Sequence, residues 1–600
     1  MTDIIHLLPD SVANQIAAGE VIQRPASVLK ELVENAIDAG ATSVDIYLKD
    51  AGKTQIQIID NGCGMSETDA RLAFERHATS KIRDSKDLFS LNSLGFRGEA
   101  LASIAAIAEV QLCSRREVDE LGTQVEIAAT RVVGQTPVQC AKGSTFTVKN
   151  LFFNVPVRRK FLKSDSTELN HILNEFKRIA LVYEHVAFSL KHNKTDIYIL
   201  SAASLQQRIV HLFGKPIQTH LLPVETETSL VKIKGFVIKP DFAKKSPGEQ
   251  FFFANGRYIR HPYLHKAIQQ AYEGILPPDY IPGYFLYFEV PPDSIDINIH
   301  PTKTEVKFED ERTIFQILVS TVKQALGKFN VVPSIEFDRE LDIPVLRPDT
   351  KINIPQVSVN PDYNPFSSSN TSRSGGYHDK VKLQNWEAIY SDFENENRQP
   401  KIFTDTEDAD LHSNSGSTYL QLKGKYILTP VKSGLMLIDQ KRAHERVLFE
   451  QYQVQVGNNK NMSQQSLFPE QIELSPEDML LWSELRDDFS TLGFDIRPAG
   501  DMRINLHGSP GEIGNKNPVA VFTRLLDEYR HFEKDMFETQ REQLAALLAQ
   551  EAAIPYNKPL TNEEISHLVE KLFTCTTPNY SPTGKPVMHL LDMDEIEKFF

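Results

Sequence analysis

Apolar residues recur at helical spacing between Pro25 and Gly40. They form one stripe made of Val28, Leu29, Leu32, Val33, Ala36 and Ile37. Because proline suits the first turn of a helix and glycine its C-terminal stop, the pattern predicts an amphipathic helix between them. Glu31, Asn35 and Asp38 fall outside the stripe, which makes them candidates for chemistry rather than packing.

Alternation with a period of two follows, and this is typical of strands with one buried face. Val44, Ile46 and Leu48 alternate with polar neighbours, and a second strand is predicted over residues 55–59 after a turn. Further strand-like runs are residues 231–238, 250–253, 284–290, 421–428 and 435–440. Helical and strand patterns in one chain predict an α/β (α+β) fold.

The periodic pattern breaks between Asp338 and Thr418, where Pro, Asn, Ser, Asp and Thr dominate. Such a stretch cannot bury enough apolar surface to offset its ordering entropy, so we expect a disordered tether. An ordered loop of this length is the less favoured alternative. With a further division near Lys215, the predicted domains are residues 1–214, 215–335 and 418–600, with the tether at 336–417.

The net charge, the cysteine spacing and the lengths of the apolar runs limit the classes of function that this chain can have. The formal net charge is −15, from 65 Lys+Arg against 80 Asp+Glu. This argues against coating nucleic acid through bulk charge but does not exclude contact through local basic patches. The four cysteines contain no CxxC pair and indicate neither a disulfide framework nor a zinc site. Without a signal-like N-terminus or a membrane-length apolar run, the chain is predicted to be cytoplasmic, with no membrane partner.

Glu31 and Asn35 are four residues apart and therefore stack on one side of the predicted helix. In that arrangement a carboxylate orients and deprotonates a water, while an amide oxygen one turn away binds Mg²⁺. The alternative is a solvated polar face, which this pair of residues does not exclude by itself.

Asp60 ends the second predicted strand and opens a segment that contains Gly62 and Gly64. A carboxylate at a strand end accepts a hydrogen bond from an exocyclic amine such as that of adenine. The glycines let the backbone approach a flat base closely. An ordinary Asn-Gly turn is the alternative.

Two further segments have the character of phosphate-binding loops. The first contains Thr79, Ser80 and Lys81, and the second is Gly95-Phe96-Arg97-Gly98-Glu99-Ala100-Leu101 at the start of an apolar helix. Glycines at a helix N-terminus present backbone N–H groups to phosphate, although the spacing of a P-loop is absent. Residues 84–93 are interpreted as a lid over the nucleotide, with a plain surface connection as the alternative.

The joint order of these motifs resembles the GHKL ATPases and, more narrowly, the MutL family. The likeness is strongest at residues 14–22, 24–27 and 31–35, and it covers residues 5–335 closely and 416–600 more loosely. It implies ATP and Mg²⁺ as cofactors, with Glu31 as general base, Asn35 as Mg²⁺ ligand and Asp60 as adenine contact. It further implies a GHKL α/β-sandwich ATPase domain, a second α/β domain of ribosomal-protein-S5-like type, and an α/β C-terminal dimerisation domain.

The resemblance gives a role to two more motifs. Residues 143–148 look like the fourth nucleotide motif, with Ser and Phe where the family more often has Thr and Val, and Thr145 is assigned to the site. Residues 296–308 resemble a motif whose lysine reaches the γ-phosphate, which implies that role for Lys303. Such a lysine couples nucleotide state to domain angle, whereas the alternative is an exposed loop lysine.

Basic residues gather in the N-terminal half. They are Arg158, Arg159, Lys160, Lys163, Lys239, Lys244, Lys245, Arg257 and Arg260. We expect sequence-independent contact with DNA phosphates, principally through Arg158, Arg159, Lys160, Arg257 and Arg260. For any one of them a solvated face is an equally good interpretation.

The C-terminal segment departs from the metal-binding pattern of nuclease-proficient relatives. Where these have DQHA-x-x-E-x-x-x-x-E, this chain has Asp439-Gln440-Lys441-Arg442-Ala443-His444-Glu445 and then Glu450. The late Cys/His motif is replaced by residues 581–586, and residues 552–554 lack the cysteine of a third motif. A nuclease centre is therefore not expected, since hydroxyls bind zinc poorly and Lys441 adds positive charge. A single ion held by Asp439, His444 and Glu445 is the alternative.

Gln464, Leu467, Phe468 and Pro469 fit the Q-x-x-L-x-P pattern with which the family docks on the replication sliding clamp. A core position for Leu467 and Pro469 is the alternative interpretation.

The resemblance thus implies a DNA mismatch-repair ATPase of the bacterial cytoplasm, associated with the nucleoid when acting. As a homodimeric, ATP-driven switch it would couple a mismatch-recognition protein of the MutS type to excision and strand-processing enzymes. One alternative is a repair endonuclease that nicks DNA through a degenerate metal site. Another is an ATPase that does not bind DNA, such as a chaperone.

Overall fold

The computed structural model describes residues 15–16, 18–19, 21–81, 98–245, 248–277, 280–296, 306–328, 419–457, 463–500, 502–514, 516–531, 537 and 539–598. Mixed helices and sheets make up this part of the chain, which confirms the predicted fold class. None of its helices is long and apolar enough to cross a membrane. The predicted tether, the lid at residues 84–93, the segment 95–97 and Lys303 lie outside the described residues.

An eight-stranded sheet organises residues 43–200, with the strand order β5-β4-β3-β6-β2-β1-β7-β8. Its strands are β1 (Ser43–Lys49), β2 (Gln55–Asp60), β3 (Glu109–Arg115), β4 (Gly122–Ala128), β5 (Arg131–Val138), β6 (Gly143–Lys149), β7 (Ala187–His192) and β8 (Thr195–Leu200). The helices of this region are α1 (Pro25–Asp38), α2 (Glu67–Leu72), α3 (Ala100–Ile107), α4 (Pro156–Phe161), α5 (Asp165–Val182) and α6 (Leu205–Phe213). The β1–β7 pair is parallel, and the other neighbouring strands are antiparallel.

The apolar stripe of α1 is buried as its spacing predicts. Val28, Leu29 and Val33 are fully buried and belong to the same core cluster as Ile46 of β1 and Ile58 of β2. Burying an aliphatic side chain of this size stabilises the fold by roughly 1.5–3 kcal/mol. The helix is therefore firmly anchored, and its polar positions are held in fixed places.

A second, five-stranded sheet follows, with the order β12-β11-β13-β10-β9. Its strands are β9 (Leu221–Glu227), β10 (Lys232–Ile238), β11 (Gln250–Ala254), β12 (Arg257–Ile259) and β13 (Tyr284–Glu289). The region also has helices α7 (Pro262–Ala271) and α8 (Glu311–Lys328) and the short pair β14 (Ile295–Asp296) and β15 (Lys307–Phe308). The strands predicted at 231–238, 250–253 and 284–290 agree with β10, β11 and β13 to within a residue at each end.

The C-terminal region has two sheets, ordered β16-β17-β18-β22 and β19-β21-β20. The strands are β16 (Leu420–Leu422), β17 (Tyr426–Val431), β18 (Gly434–Asp439), β19 (Ser463–Glu473), β20 (Asp495–Gly500), β21 (Arg503–Pro510) and β22 (Met588–Asp592). The helices are α9 (Gln440–Gly457), α10 (Pro476–Thr491), α11 (Pro518–His531), α12 (Gln540–Ala552), α13 (Asn562–Thr574) and α14 (Met593–Glu597).

The strand predicted over residues 421–428 is in fact split in two. Lys423 and Gly424 both have positive φ, at 49° and 59°, and turn the chain between β16 and β17. The predicted pairing with the next strand is confirmed, because β17 and β18 form an antiparallel pair. Helix α9 then connects two core clusters, contributing Val447 to one and Tyr452 to the other.

Candidate functional site

Glu31 and Asn35 lie one turn apart on α1, and both are half-buried. Lys81 approaches Asn35 and Asp38 of this helix from the loop after α2. Its Nζ donates a hydrogen bond to Asn35 Oδ1 at 3.2 Å and forms an ion pair with Asp38. The structure therefore brings the polar positions of α1 together with the Thr79–Lys81 segment.

Asp60 ends β2 and is buried, with 6% of its surface exposed. Its Oδ1 accepts hydrogen bonds from the backbone N–H groups of Gly62 at 2.9 Å and Ser144 at 3.2 Å. Burial raises the pKa of Asp60, and these two donors offset part of that rise. Both of these bonds from described residues engage Oδ1 rather than Oδ2.

The strand register places Ser144, rather than Thr145, directly beside Asp60. Asp60 is paired with Ser144, whereas Thr145 is paired with Ile59. Because neighbouring residues of a strand point to opposite faces, Thr145 faces away from Asp60 and Ser144 is the residue beside it. The alternation of Ser144 with the apolar Phe146 places Ser144 on the inward face, a signal that the sequence already contained.

Ser114 is a second residue that sequence reasoning missed. Its Oγ lies 2.9 Å from Ser144 Oγ and accepts a hydrogen bond from the Met65 backbone N–H, also at 2.9 Å. The two serines thereby connect the segment after Asp60 to β3 and β6. No local motif marks Ser114, because its role depends on the pairing of β3 with β6.

The two segments predicted to bind phosphate lie side by side where the structure describes them. The backbone N–H of His77 donates to the carbonyl of Gly98 at 3.1 Å. Gly98 has φ +63°, and a Cβ there would lie 2.5 Å from the carbonyl oxygen of Ala78, so only glycine fits. Helix α3 begins at Ala100, and the Glu99 side chain makes no capping hydrogen bond to it.

The atoms around Lys81 that could bind a metal ion are hard oxygens. They belong to the Asn35 amide and the Asp38 carboxylate, and the Glu31 carboxylate lies on the same helix. The Lys81 ammonium contacts the oxygens of Asn35 and Asp38, so the site accommodates positive charge. Oxygen donors of this kind fit Mg²⁺ and are unlike the sulfur and nitrogen donors that zinc prefers.

The predicted DNA contacts divide into two classes. Arg158 donates to the carbonyls of Gly19 at 3.0 Å and Ile22 at 3.3 Å, which gives it a structural role. Arg159 and Lys160 are exposed on α4, and Arg260 is exposed after β12. Arg257 is half-buried.

The C-terminal candidates for metal ligands are engaged with groups of the protein itself. Arg442 Nε lies 3.5 Å from Asp439, Lys441 Nζ lies 3.8 Å from Glu445, and Tyr556 Oη donates to Asp439 at 3.1 Å. Among the described residues no group of three or more His, Cys, Asp or Glu is arranged to hold a metal ion. The alternative of one ion held by Asp439, His444 and Glu445 therefore does not fit the structure.

His444 also has a structural partner. Its Nδ1 accepts a hydrogen bond from the Ile554 backbone N–H at 3.1 Å. Burial, reinforced by nearby lysines, lowers the pKa of His444 to about 4, so the ring is neutral at pH 7. A neutral ring with an occupied Nδ1 holds α9 against the end of α12.

Residues 464–469, which fit the clamp-docking pattern, lie in β19 at the edge of the β19-β21-β20 sheet, and they contain a bulge. The register pairs Gln465 with Gly508 and Glu470 with Leu506, so residues 466–469 lie opposite a single residue of β21. Leu467 is 93% exposed and Phe468 is 82% exposed. The alternative interpretation, a core position for Leu467, is therefore wrong.

Comparison with known proteins assigns each region to a family. Residues 23–151 match "Histidine kinase-, DNA gyrase B-, and HSP90-like ATPase", residues 209–327 match "DNA mismatch repair protein, C-terminal domain", and residues 419–560 match "MutL C terminal dimerisation domain". The solved structure of the Aquifex aeolicus MutL ATPase domain complexed with ADP is 28% identical, covering 45% of this chain and 94% of that chain, with a TM-score of 0.35.

Full-length relatives extend the match to the entire chain. The DNA mismatch repair proteins MutL of Bacteroides fragilis and Phocaeicola vulgatus are each 50% identical to it, over 626 and 625 aligned residues. Both alignments cover 100% of this chain and 100% of the relative. The chain therefore belongs to the MutL family of DNA mismatch repair proteins, as an ATPase with a C-terminal dimerisation domain.

Proposed function

We propose that this mismatch-repair ATPase works as a nucleotide-operated switch in which Glu31 activates the water that attacks the γ-phosphate. Asp60 Oδ2 receives the amine of adenine, and Lys81 with the N-terminus of α3 receives the phosphates. The observation that carries this assignment is the contact of Lys81 with Asn35 and Asp38. It links the phosphate loop directly to the helix that presents the acid.

The chemistry of the site follows from the anchoring of α1. The buried stripe fixes the helix, so the carboxylate of Glu31 keeps its position while it accepts a proton from water. Asn35 is proposed to hold Mg²⁺, which neutralises phosphate charge when it is bound. Lys81 supplies a further positive charge at the same oxygens and is released to the phosphates as the nucleotide enters.

Other proposed contacts rest on the motifs alone. Thr79, Ser80, Glu99, Ala100 and Leu101 belong to the phosphate loops described above. Residues 95–97 and Lys303 retain their proposed phosphate-binding roles from the family motifs, outside the described residues. The proposed domain boundary at residues 214/215 is supported by the end of α6 at Phe213 and the start of β9 at Leu221.

DNA is the proposed partner of the exposed basic residues. Arg159→Gln is expected to weaken binding to duplex DNA about equally for all sequences and to reduce the slope of log K against log salt by about one. The reason is the loss of one phosphate contact with its released counterion. Fluorescence anisotropy of a labelled duplex across a salt series measures both quantities.

Lys191→Gln is the matched control, because Lys191 lies on β7 and its ammonium is paired with Asp196 at 2.9 Å. An equal loss of slope in both variants would contradict a specific role for Arg159. Absence of any DNA retention by the unmodified chain at low salt would favour the alternative of a DNA-free ATPase.

We further propose a homodimer formed through the β16-β17-β18-β22 sheet. Leu420, Leu422 and Leu590 on its strands and Met593 on α14 are exposed large apolar residues. A cavity of about 500 Å³ adjoins the sheet and is lined mainly by apolar side chains such as Val569 and Phe573. Apolar surface of this kind favours a permanent partner, and the match to a dimerisation domain indicates a second copy of the chain.

The bulged segment of β19 is proposed to dock on the sliding clamp. Replacing Leu467 and Phe468 together by alanine is expected to weaken binding to a bacterial clamp at least about 30-fold, since such anchors carry about 2 kcal/mol or more. ATP hydrolysis is expected to stay unchanged, because both side chains are exposed and distant in sequence from the nucleotide site. Surface plasmon resonance on an immobilised clamp measures the affinity.

Val454→Ala is a suitable control, as Val454 is another exposed apolar residue of the same region. If the double variant bound the clamp as tightly as the unmodified chain, the docking role would be ruled out.

The C-terminal domain is proposed to lack nuclease activity. The support is the pairing of Arg442 with Asp439 and of Lys441 with Glu445, which places protein cations where a nuclease would hold metal. A mismatch-recognition protein of the MutS type is the proposed upstream partner. The cytoplasm, at the nucleoid, is the proposed place of action; both proposals follow from membership of the family.

A further inference from the structure

The C-terminal region lies directly against the N-terminal half. Leu480 of α10 packs against the core cluster of the eight-stranded sheet. A Cβ added at Gly214 would lie 3.5 Å from the Cα of Ser475, so the two backbones come close as well. Both parts belong to one compact unit.

A buried ion pair joins the two parts at this contact. Lys177 Nζ on α5 lies 2.9 Å from Glu477 on α10, and their side chains are only 8% and 11% exposed. Arg530 of α11 lies 3.8 Å from the same carboxylate. Burial opposes ionisation of Glu477, but Lys177 and Arg530 outweigh it and hold the pKa of Glu477 below its usual value.

A second ion pair joins the segment between β10 and β11 to α11. Lys244 Nζ is 3.0 Å from Glu249 of its own region and 3.3 Å from Asp527 of α11. Burial disfavours the ammonium, yet the two carboxylates overcome this and raise the pKa of Lys244. Lys244 is therefore charged and depends in part on an acid from the other half of the chain.

The charges on the two sides are complementary. The N-terminal side presents Lys177 and Lys244 together with one acid, Glu249, and the C-terminal side presents Glu477, Asp478 and Asp527 together with one cation, Arg530. A charge buried without a partner is costly, so these pairs favour one specific arrangement of the two halves. In an open form Lys177 would lose Glu477, and Lys244 would keep Glu249 but lose Asp527.

We propose that α10 and α11 form an acidic docking surface for the N-terminal half, and that DNA phosphates compete with Asp527 for Lys244. Docking buries Lys177 and much of Lys244, so neither ammonium is available to a polyanion in the closed form. Opening exposes the Lys177 ammonium and removes Asp527 from the Lys244 ammonium, which keeps Glu249 as its partner. The competition rests on the proposed DNA contact, whereas the docking itself does not.

Charge reversal tests the docking in the full-length chain without DNA. Asp527→Lys is expected to increase the radius of gyration measured by small-angle scattering, because it places two ammonium groups against each other. Adding Lys244→Glu to that variant is expected to restore the compact form, because the lysine introduced at position 527 then faces the acid introduced at position 244 as well as Glu249. Asp495→Lys is the matched control, since Asp495 pairs with Arg497 on the same strand, and it is expected to stay compact.

An unchanged radius in Asp527→Lys would overturn the docking proposal, as would an expansion that the reciprocal swap does not reverse. For the competition, Asp527→Lys is expected to bind a labelled duplex several-fold more tightly than Asp495→Lys, which carries the same added charge. Equal affinities of these two variants would refute the competition while leaving the docking result intact.

Discussion

Replacing Glu31 by alanine is expected to slow ATP hydrolysis about 10²- to 10⁴-fold, the usual contribution of a positioned general base. Nucleotide binding is expected to persist, because Asp60 and the Lys81 loop make the proposed contacts with base and phosphates. The effect should appear in kcat rather than in the affinity for ATP. Steady-state phosphate release and calorimetric titration with ATP and Mg²⁺ separate the two quantities.

Glu126→Ala provides the control for this experiment. Glu126 is an exposed acid on β4 of the same sheet, so its loss changes the charge without touching α1. Hydrolysis by Glu31→Ala at the unmodified rate would remove Glu31 from the mechanism. A loss of ATP binding in that variant would instead indicate that the acid supports the fold of the site.

Asp60→Ala is expected to lower the affinity for ATP about 100-fold. A hydrogen bond to a charged group contributes about 1.5–3 kcal/mol, and about 1.4 kcal/mol corresponds to a factor of ten. The backbone N–H groups of Gly62 and Ser144 lose their acceptor as well, so the segment after β2 loses its support. Isothermal titration calorimetry of the full-length chain measures the change directly.

Nucleotide preference gives an independent test of the same residue. The carboxylate accepts from the amine of adenine, whereas guanine presents a carbonyl oxygen at that position, so ATP is expected to bind more tightly than GTP. Ser144→Ala is the matched control, since it removes the hydroxyl but keeps the backbone N–H that contacts Asp60. Equal binding of ATP and GTP by the unmodified chain would contradict the adenine contact.

The polar residues of α1 show which parts of the candidate site can be predicted from a local sequence pattern. The spacing of the apolar residues alone fixes the buried face of the helix, and Glu31 and Asn35 must then share another side of it. Alternation predicts β1 and β2 in the same way, and hence the position of Asp60 at a strand end. The order of the nucleotide motifs adds the family, because several short motifs in one sequence order rarely occur together by chance.

Other features were decided by contacts between distant segments. The sequence did not indicate that Lys81 reaches Asn35 and Asp38, nor that the pairing of β2 with β6 puts Ser144 rather than Thr145 beside Asp60. It grouped Arg158 with its exposed neighbours, although that guanidinium holds the carbonyls of residues 19 and 22.

The sequence by itself determined the buried face of α1, the strands β1 and β2 and the family, because period and motif are properties of neighbouring positions. Only the tertiary structure decided which side chains meet, as in the pair of Lys177 with Glu477, which are 300 residues apart. Strand register, burial and charge pairing across such separations depend on the packing of the whole chain, and no local pattern encodes them.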